Sequence, residues 1–297
     1  MRAKHINPFV PGWRSATILL VVMTFRPAIF STPQIGTTDI PYKRAVDRHL
    51  HGLSSNTRIS GGHDAKLADH PWQVALVAAD DSDNTRAEFC GGAIIGEHWV
   101  LTAAHCLLGV PNQAAIKILV GTDTLDAAGR RLTVDYFKPH ENWVKTGHDF
   151  DIALVHSSEV LTGTVALWKG TDAQFENQTF VVSGWGAIAW KPDPPRSIKL
   201  QAVPVKFVGK DLCGSAVSYG SRLTDNMFCA GDYKNGGVDA CTYDSGGPAT
   251  WSRQAGIYLV GIVSWGDGCG EAKKPGVYIK VSNFAQWIKT QTHQEVF

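Results

Sequence analysis

Short apolar stretches separated by turn residues constrain the fold of this chain more than any other feature. From Ile59 onward, β-branched and aromatic residues gather in short runs at 72–78, 93–104, 116–120, 179–184 and 258–264. Turn residues separate the runs, and the 297 residues include 30 glycines. Many short strands favour an antiparallel barrel or sandwich over an α/β fold. Near the end, Val281, Phe284 and Ile288 recur at helical spacing and predict a C-terminal helix.

The N-terminal region has a different composition. Three basic residues precede an apolar run at 16–25, and small residues follow it. This order is typical of a signal peptide, and the run is shorter than the roughly 20 residues that span a bilayer. We predict a signal peptide at about 1–30, cleaved between 28 and 36, secretion to an extracellular or periplasmic compartment, and no stable membrane insertion. The alternatives are an uncleaved anchor, because Arg26 directly follows the run, and a buried core helix.

Residues 37–58 are polar and lack sustained periodicity, which is typical of an exposed, cleavable segment. Eight of the 28 Lys and Arg residues, but only two of the 27 Asp and Glu residues, lie in 1–58, so 59–297 carries a net charge of −5. Binding to nucleic acid requires clustered basic residues that neutralise phosphates. This part of the chain has no such cluster, so we predict no nucleic-acid partner.

All six cysteines lie beyond residue 58, at Cys90, Cys106, Cys213, Cys229, Cys241 and Cys269. An even number of cysteines in an exported chain predicts disulfides, although six cysteines allow 15 pairings. The chain has no C-x-x-C pair, which argues against a structural zinc site.

The segment at 239–248, D-A-C-T-Y-D-S-G-G-P, carries the clearest chemical signal. A serine hydroxyl becomes a useful nucleophile when a base removes its proton and when donors stabilise the oxyanion that forms on attack. Gly246 and Gly247 allow backbone and substrate to approach Ser245 closely. Taken alone, however, Ser-Gly-Gly-Pro also fits an ordinary turn.

Two upstream motifs change that interpretation: T-A-A-H-C at 102–106 and D-I-A-L at 151–154. In the order His, Asp, Ser, the three motifs together resemble the trypsin/chymotrypsin family of serine proteases, and the resemblance covers nearly all of 59–297. It implies an all-β fold of two six-stranded antiparallel β-barrels, with the active site in the cleft between them and a C-terminal helix.

The resemblance also assigns catalytic roles. Ser245 is expected to be the nucleophile, and His105 the general base that later protonates the leaving amine. Asp151 is expected to hold the imidazole tautomer and to stabilise the imidazolium. Asp149 lacks the Ile-Ala-Leu context and is not assigned. Four further histidines are interpreted as surface or structural residues: His70, His140, His148 and His156.

The family resemblance implies the disulfide pairs Cys90–Cys106, Cys213–Cys229 and Cys241–Cys269. Each bridge typically contributes about 2–4 kcal/mol to stability. The first is expected to brace the loop carrying His105, and the last to close the pocket near Ser245. No cysteine remains to tether the segment before Ile59, so we expect that segment to diffuse away after cleavage.

Specificity is expected to depend on Asp239, six residues before the serine, at the floor of the primary specificity pocket. A carboxylate there would pair with a substrate guanidinium or ammonium. Outside this context, Asp239 would be an ordinary solvated loop residue. Gly266 and Gly276 match the two wall positions that must be small. Ser264, Trp265 and Gly266 are expected to pair with the substrate backbone as an added strand.

The sequence R-I-S-G-G at 58–62 resembles the family's activation junction, which makes 31–58 a predicted propeptide and 59–297 the protease domain. Cleavage after Arg58 would free the amine of Ile59 to pair with Asp244 and to order the oxyanion hole. Ser60 replaces the commoner valine, a minor departure. Because Arg58 fits the predicted pocket, we hypothesise some autoactivation.

Tyr243 departs from the family pattern, which usually has a glycine at this position of the oxyanion hole. Its backbone N–H remains available, beside that of Ser245. A backbone conformation suited to glycine alone would cost about 1–3 kcal/mol, and loss of one oxyanion donor costs roughly 2.7–4 kcal/mol of barrier. We expect the side chain to protrude on the leaving-group side and to weaken inhibition by large protein inhibitors.

The sequence predicts no metal and no organic cofactor. The loop at 121–131 retains only Asp123 and Asp126 of the acidic residues that a calcium loop would need. The expected partners are protein or peptide substrates with Arg or Lys before the scissile bond, and protein inhibitors; the expected state is a monomer.

One rival function is a catalytically weakened protease homologue that acts as a binding or regulatory module, because of Tyr243. Another is hydrolysis of small esters, although lipases use a G-x-S-x-G elbow.

Overall fold

The computed structural model describes residues 40–51, 62–186, 197–240 and 243–296, and they belong to one compact unit, Thr37–Phe297. The predicted signal peptide, the junction of Arg58 and Ile59, and Cys241 lie outside the described residues. Within the described ranges, no helix combines the length and the hydropathy needed to cross a bilayer.

Strands dominate the described residues. The strands are β1 (His63–Asp64), β2 (Gln73–Ala78), β3 (Glu88–Gly96), β4 (Trp99–Thr102), β5 (Ile116–Val120), β6 (Arg130–Pro139), β7 (Ala153–Ser157), β8 (Ala166–Leu167), β9 (Thr179–Gly184), β10 (Gln201–Val208), β11 (Met227–Ala230), β12 (Pro248–Arg253), β13 (Gly256–Trp265) and β14 (Gly276–Lys280). The α-helices are α1 (Pro41–His51), α2 (Asn84–Ala87), α3 (Lys210–Cys213) and α4 (Ala285–Gln291). Single 3-10 turns span Ala104–Leu107, Gln113–Ala115, Asp172–Phe175, Gly220–Arg222 and Val281–Phe284.

The first barrel closes in the order β2-β3-β4-β7-β6-β5. All six residues of β2 are buried, because β2 pairs with β3 on one side and with β5 on the other. The interior is mainly aliphatic, with fully buried Leu76, Leu101, Ile118 and Leu154. Burial of one such side chain typically contributes about 1.5–3 kcal/mol, so the barrel forms a rigid support for the loops that leave it.

The second barrel uses β9, β10, β11, β14, β13 and β12, and it closes because β9 pairs with both β10 and β12. Its interior is aromatic. Phe175 packs edge-on against Phe180, with ring centroids 5.0 Å apart, and against Trp251 at 5.6 Å. Phe228 stacks on Tyr278 at 5.2 Å. Such pairs contribute about 0.5–1.5 kcal/mol beyond their buried area.

The predicted all-β architecture is therefore confirmed: two closed, six-stranded antiparallel barrels followed by a short C-terminal helix. The 3-10 turn Val281–Phe284 leads directly into α4. Val281, Phe284 and Ile288 are buried, as their helical spacing predicted.

Helix α1 is where the observed structure differs from the sequence prediction. The sequence predicted an exposed segment at 37–58, and this is wrong for its described part, because Ala45 is fully buried and Arg48 is 8% exposed. Tyr42 packs edge-on against Phe89 of β3, with ring centroids 5.7 Å apart. Contacts of this kind hold the helix on the first barrel.

Candidate active site

His105 and Asp151 form a hydrogen-bonded pair at the edge of the first barrel. His105 Nδ1 lies 2.7 Å from Asp151 Oδ2, and the backbone N–H of His105 donates to Asp151 Oδ1 at 2.8 Å. Ser264 Oγ donates to Asp151 Oδ2 at 2.5 Å. The carboxylate is only 2% exposed, so three hydrogen bonds fix its orientation and that of the imidazole.

The electrostatics of Asp151 reflect two opposing effects. Burial pushes the pKa of Asp151 upward, but the His105 charge and the hydrogen bonds from His105 and Ser264 outweigh burial, so the pKa lies below its ordinary value. A carboxylate that stays ionised can stabilise an imidazolium beside it. The pair can therefore accept a proton on His105 without protonating Asp151.

Local backbone features orient the side chains of His105 and Asp151. His105 lies in the turn Ala104–Leu107, which follows β4 and contains Cys106, disulfide-bonded to Cys90 of β3. Asp151 lies just before β7 and directly after Phe150, whose positive φ of 56° is unusual for a residue with a side chain. The N–H of Ile152 donates to the carbonyl of Phe150 at 2.7 Å and closes this turn.

The loop that carries Ser245 contacts the first barrel. The N–H of Gly91 in β3 donates to the Ser245 carbonyl at 2.8 Å. Gly246 has a φ of +78°, and a Cβ at that position would lie 2.2 Å from Thr102 Oγ1, so only glycine fits there. This close approach places the serine beside the first barrel, between β3 and the turn that carries His105.

Tyr243, two residues before Ser245, adopts a φ of +78°. This is the left-handed region that favours glycine, and a bulkier residue there typically costs about 1–3 kcal/mol. The ring is 3% exposed. The guanidinium carbons of Arg44 and Arg48 lie 5.2 and 5.1 Å from the ring centroid. The sequence predicted that this side chain protrudes on the leaving-group side of the cleft; in the structure, Arg44 and Arg48 of helix α1 cover it.

Asp244 is completely buried, and its Oδ1 accepts the N–H of Gly186 at 2.9 Å. A Cβ on Gly184 or Gly186 would lie within 2.3 Å of the Asp244 carboxylate, so both positions require glycine. Arg58 and Ile59, the two other residues of the predicted activation device, lie outside the described residues.

Asp239 is 1% exposed. Its two oxygens accept the N–H groups of Gly270 at 3.2 Å and Gly276 at 3.1 Å. Burial raises the pKa of Asp239 to about 8, and the backbone hydrogen bonds lower it only in part. A Cβ on Gly276 would lie 2.4 Å from Asp239 Oδ1, and a Cβ on Gly266 would lie 4.0 Å from Gly276 Cα. Both glycines therefore border the space beside this carboxyl group.

An aromatic wall beside Trp265 was not predicted from the sequence. His148 stacks on Trp265 with centroids 4.4 Å apart, and Tyr219 meets the same indole edge-on at 4.7 Å. Burial lowers the pKa of His148. The sequence interpreted His148 as a surface or structural histidine, and its one signal was its position three residues before Asp151.

Disulfides brace the site. Cys90 is bonded to Cys106, and Cys213 to Cys229. Cys269 is also disulfide-bonded, and Cys241, its expected partner, lies outside the described residues. Among the described residues, the one grouping of metal-ligand side chains is Cys90, His105 and Cys106, whose two sulfurs are already in a disulfide. Because both sulfurs are in the disulfide, they are not available to bind a metal.

Comparison with known proteins agrees with this geometry. The family model described as trypsin matches residues 59–288. Trypsin of Phaedon cochleariae is 36% identical over 268 residues, which is 88% of this chain and 93% of that protein. Trypsin Blo t 3 of Blomia tropicalis is 36% identical over 84% of this chain and 92% of its own length. Transmembrane protease serine 11C of Mus musculus is 37% identical over 79% of this chain and 54% of its own length. The hydrogen-bonded His105–Asp151 pair, Ser245 beside it, the two barrels and these similarities lead to one conclusion: the chain belongs to the trypsin family of serine proteases.

Proposed function

We propose that this protein is a secreted, monomeric serine endopeptidase that hydrolyses peptide bonds after Arg or Lys and is made as a zymogen. The observation that carries the proposal is the His105–Asp151 pair, hydrogen-bonded at 2.7 Å, beside a loop that holds Ser245 against the first barrel. The buried Asp239 carboxyl supports the choice of a basic side chain before the scissile bond.

The reaction follows from the properties of the individual residues. His105 removes the proton of Ser245 Oγ as the oxygen attacks the scissile carbonyl, and Asp151 stabilises the resulting imidazolium. The backbone N–H groups of Tyr243 and Ser245 donate to the oxyanion. His105 then protonates the leaving amine, and water hydrolyses the acyl-enzyme by the reverse sequence.

Substrate selection depends on Asp239 and the glycines beside it. An arginine or lysine side chain passes Gly266 and Gly276, displaces the proton that the buried Asp239 holds and pairs with its carboxylate. An apolar side chain has no charge to pair with this carboxyl group. Ser264 and Trp265 end β13 and Gly266 directly follows it, and we propose that these three residues pair with the substrate backbone as an added strand.

Activation is proposed to follow cleavage after Arg58. The new amine of Ile59 pairs with the buried Asp244 and stabilises the loop that carries Tyr243 and Ser245. Because Arg58 itself fits the proposed pocket, the enzyme is expected to activate itself in part. Loss of residues up to Arg58 from a Ser245→Ala zymogen, with no other protease present, would contradict this.

The second candidate is a catalytically weakened homologue that acts as a binding module, and the positive φ of Tyr243 favours it. Kinetic assays separate the two. The protein cleaved at Arg58 is tested on matched Arg and Phe amides, with Ser245→Ala as the control. Hydrolysis of the Arg amide alone supports the proposal, whereas hydrolysis of neither by folded, cleaved protein supports the binding module.

A further inference from the structure

Helix α1 lies beside the candidate active site, against Tyr243, which the family resemblance places on the leaving-group side. It contacts α2, β2, β3 and the turn Ala104–Leu107 that carries His105. Ala45 has no exposed surface, and Tyr42 packs on Phe89, the residue next to the Cys90–Cys106 bridge.

Arg48 anchors the helix to the backbone beneath it. Its Nε and Nη2 donate to the carbonyl of Arg86 at 3.1 and 3.0 Å, and Nη2 also donates to the carbonyl of Glu88. Hydrogen bonds from a charged donor contribute about twice as much as neutral ones. A guanidinium that is 8% exposed and bonded to two carbonyls is therefore a specific attachment.

Arg44 and Arg48 together enclose the ring of Tyr243. Both guanidinium groups lie within 5.3 Å of the ring centroid, and the ring retains 3% exposure. Cations are attracted to an aromatic face, more strongly where water is excluded. A glycine at position 243 would offer no ring, so Tyr243 supplies the receiving surface for α1.

Charge also favours retention of the helix. Helix α1 contains three basic residues, Lys43, Arg44 and Arg48, and one acidic residue, Asp47, so it carries a net positive charge. Residues 59–297 carry a net charge of −5. Complementary charge strengthens and orients an association.

We propose that α1 remains bound after cleavage at Arg58 and acts as a non-covalent, built-in inhibitor of the leaving-group side. It slows hydrolysis of substrates that continue past the scissile bond and leaves small arginine amides accessible to Ser245. This inference rests on the proposed function for the cleavage at Arg58. It replaces the expectation that the propeptide diffuses away.

Retention is tested without catalysis. The full chain carries Ser245→Ala together with Ser54→Asp, Ser55→Asp, Asn56→Asp, Thr57→Asp and Arg58→Lys, which create a site for enteropeptidase. After cleavage, gel filtration at micromolar concentration separates bound from free fragments. Co-elution of the N-terminal fragment with the barrel fragment supports the proposal, and separate elution overturns it.

Matched variants of α1 show whether the observed contacts hold the fragment. Arg48→Ala is expected to weaken retention at least about tenfold in a dilution series, because it removes charged hydrogen bonds. Arg44→Ala removes one guanidinium from the ring and provides an answer if Arg48→Ala does not fold. Lys43→Ala removes the same charge from an exposed position and is expected to retain the fragment. Equal retention by all three variants rejects the proposed contacts.

A second measurement uses the same junction with Ser245 intact. The measured quantity is the rate of hydrolysis of a peptide that extends past the arginine, divided by the rate for a small arginine amide. This ratio is expected to rise on dilution, as the fragment dissociates. Arg44→Ala is expected to shift the rise to higher protein concentration, because it weakens binding of the fragment. A constant ratio overturns the inhibitory role. If neither substrate is hydrolysed while the fragment co-elutes, the proposed function fails and the binding result stands.

Discussion

The two sides of Ser245 are built in different ways. On the acyl side, the Asp239 carboxyl is buried and is held by the N–H groups of Gly270 and Gly276. On the leaving-group side, Tyr243 has a positive φ and lies under Arg44 and Arg48 of α1. The first side is proposed to select a ligand through charge in a narrow space, whereas the second is covered by the chain's own helix.

This difference predicts that selectivity and access are controlled by separate residues. Substitution of Asp239 should change which substrate enters without affecting α1. Substitution of Tyr243 should change what can approach from the other side more than it changes the pocket, although its ring packs on Cys269, the residue before Gly270. The following predictions test that separation, and the first provides the baseline for both sides.

Asp151→Asn is expected to lower kcat about ten-thousand-fold on every substrate, because the imidazole loses the partner that fixes its tautomer. The drop should be the same for small amides and for extended peptides, since His105 serves both. Steady-state kinetics give the result, and unchanged benzamidine binding shows that the pocket has folded. A drop limited to one substrate class would mean that His105 is not the shared base.

Asp239→Ser is expected to lower kcat/KM for arginine amides about a thousand-fold, because truncation of one partner of a buried charge pair costs about 2–5 kcal/mol. Hydrolysis of a matched phenylalanine amide should hold steady or rise. The ratio of the two kcat/KM values is the measurement. A parallel loss on both amides would place Asp239 outside the selectivity of the site.

Benzamidine should bind more tightly as the pH rises from 6 to 8, by up to about tenfold per pH unit. The sign follows from burial, which raises the pKa of Asp239 to about 8. Below that pH the carboxyl holds a proton that a cationic ligand must displace, and above it the affinity levels off. Calorimetry in buffers of different ionisation enthalpy should detect the released proton. Asp239→Asn is the control, and a flat profile in the unsubstituted protein would contradict the shift.

In protein from which residues 1–58 have been removed, Tyr243→Gly is expected to strengthen inhibition by a broad Kunitz-type trypsin inhibitor by about tenfold. The substitution removes the side chain from the leaving-group side. It also relieves an unfavourable backbone conformation that costs about 1–3 kcal/mol. Benzamidine affinity should stay constant, since that ligand reaches only the acyl side. Inhibition constants for the two ligands are compared. Potent Kunitz inhibition of the unsubstituted protein would show that Tyr243 does not crowd this side.

Much of the fold could be predicted from the sequence. The strand-like runs predicted a barrel or a sandwich, and the family resemblance carried by three motifs predicted the two closed barrels. Two of these motifs contain His105 and Asp151, which the structure brings into hydrogen-bond contact. These features are readable because each depends on local spacing or on a short motif.

The leaving-group side could not be predicted in the same way. Arg48 bonds to carbonyls some 40 residues further along the chain, and Tyr243 lies about 200 residues from the helix that covers it. The helix has a polar composition, and the partners that hold it are distant in sequence, on the first barrel and at Tyr243. Likewise, nothing in the local sequence around His148 indicated that it would stack on Trp265.

The helical conformation of α1 also bears on the order in which peptide bonds are cut. Lys43, Arg44 and Arg48 are themselves residues after which this enzyme is proposed to cut, yet a substrate must be extended to align along β13. While α1 is helical and bound to the barrel, the peptide bonds after these residues are protected from cleavage. The junction at Arg58 is therefore expected to be cut first. Once the helix dissociates and unwinds, the same bonds are expected to become digestible, so that the proposed enzyme would destroy its proposed inhibitor.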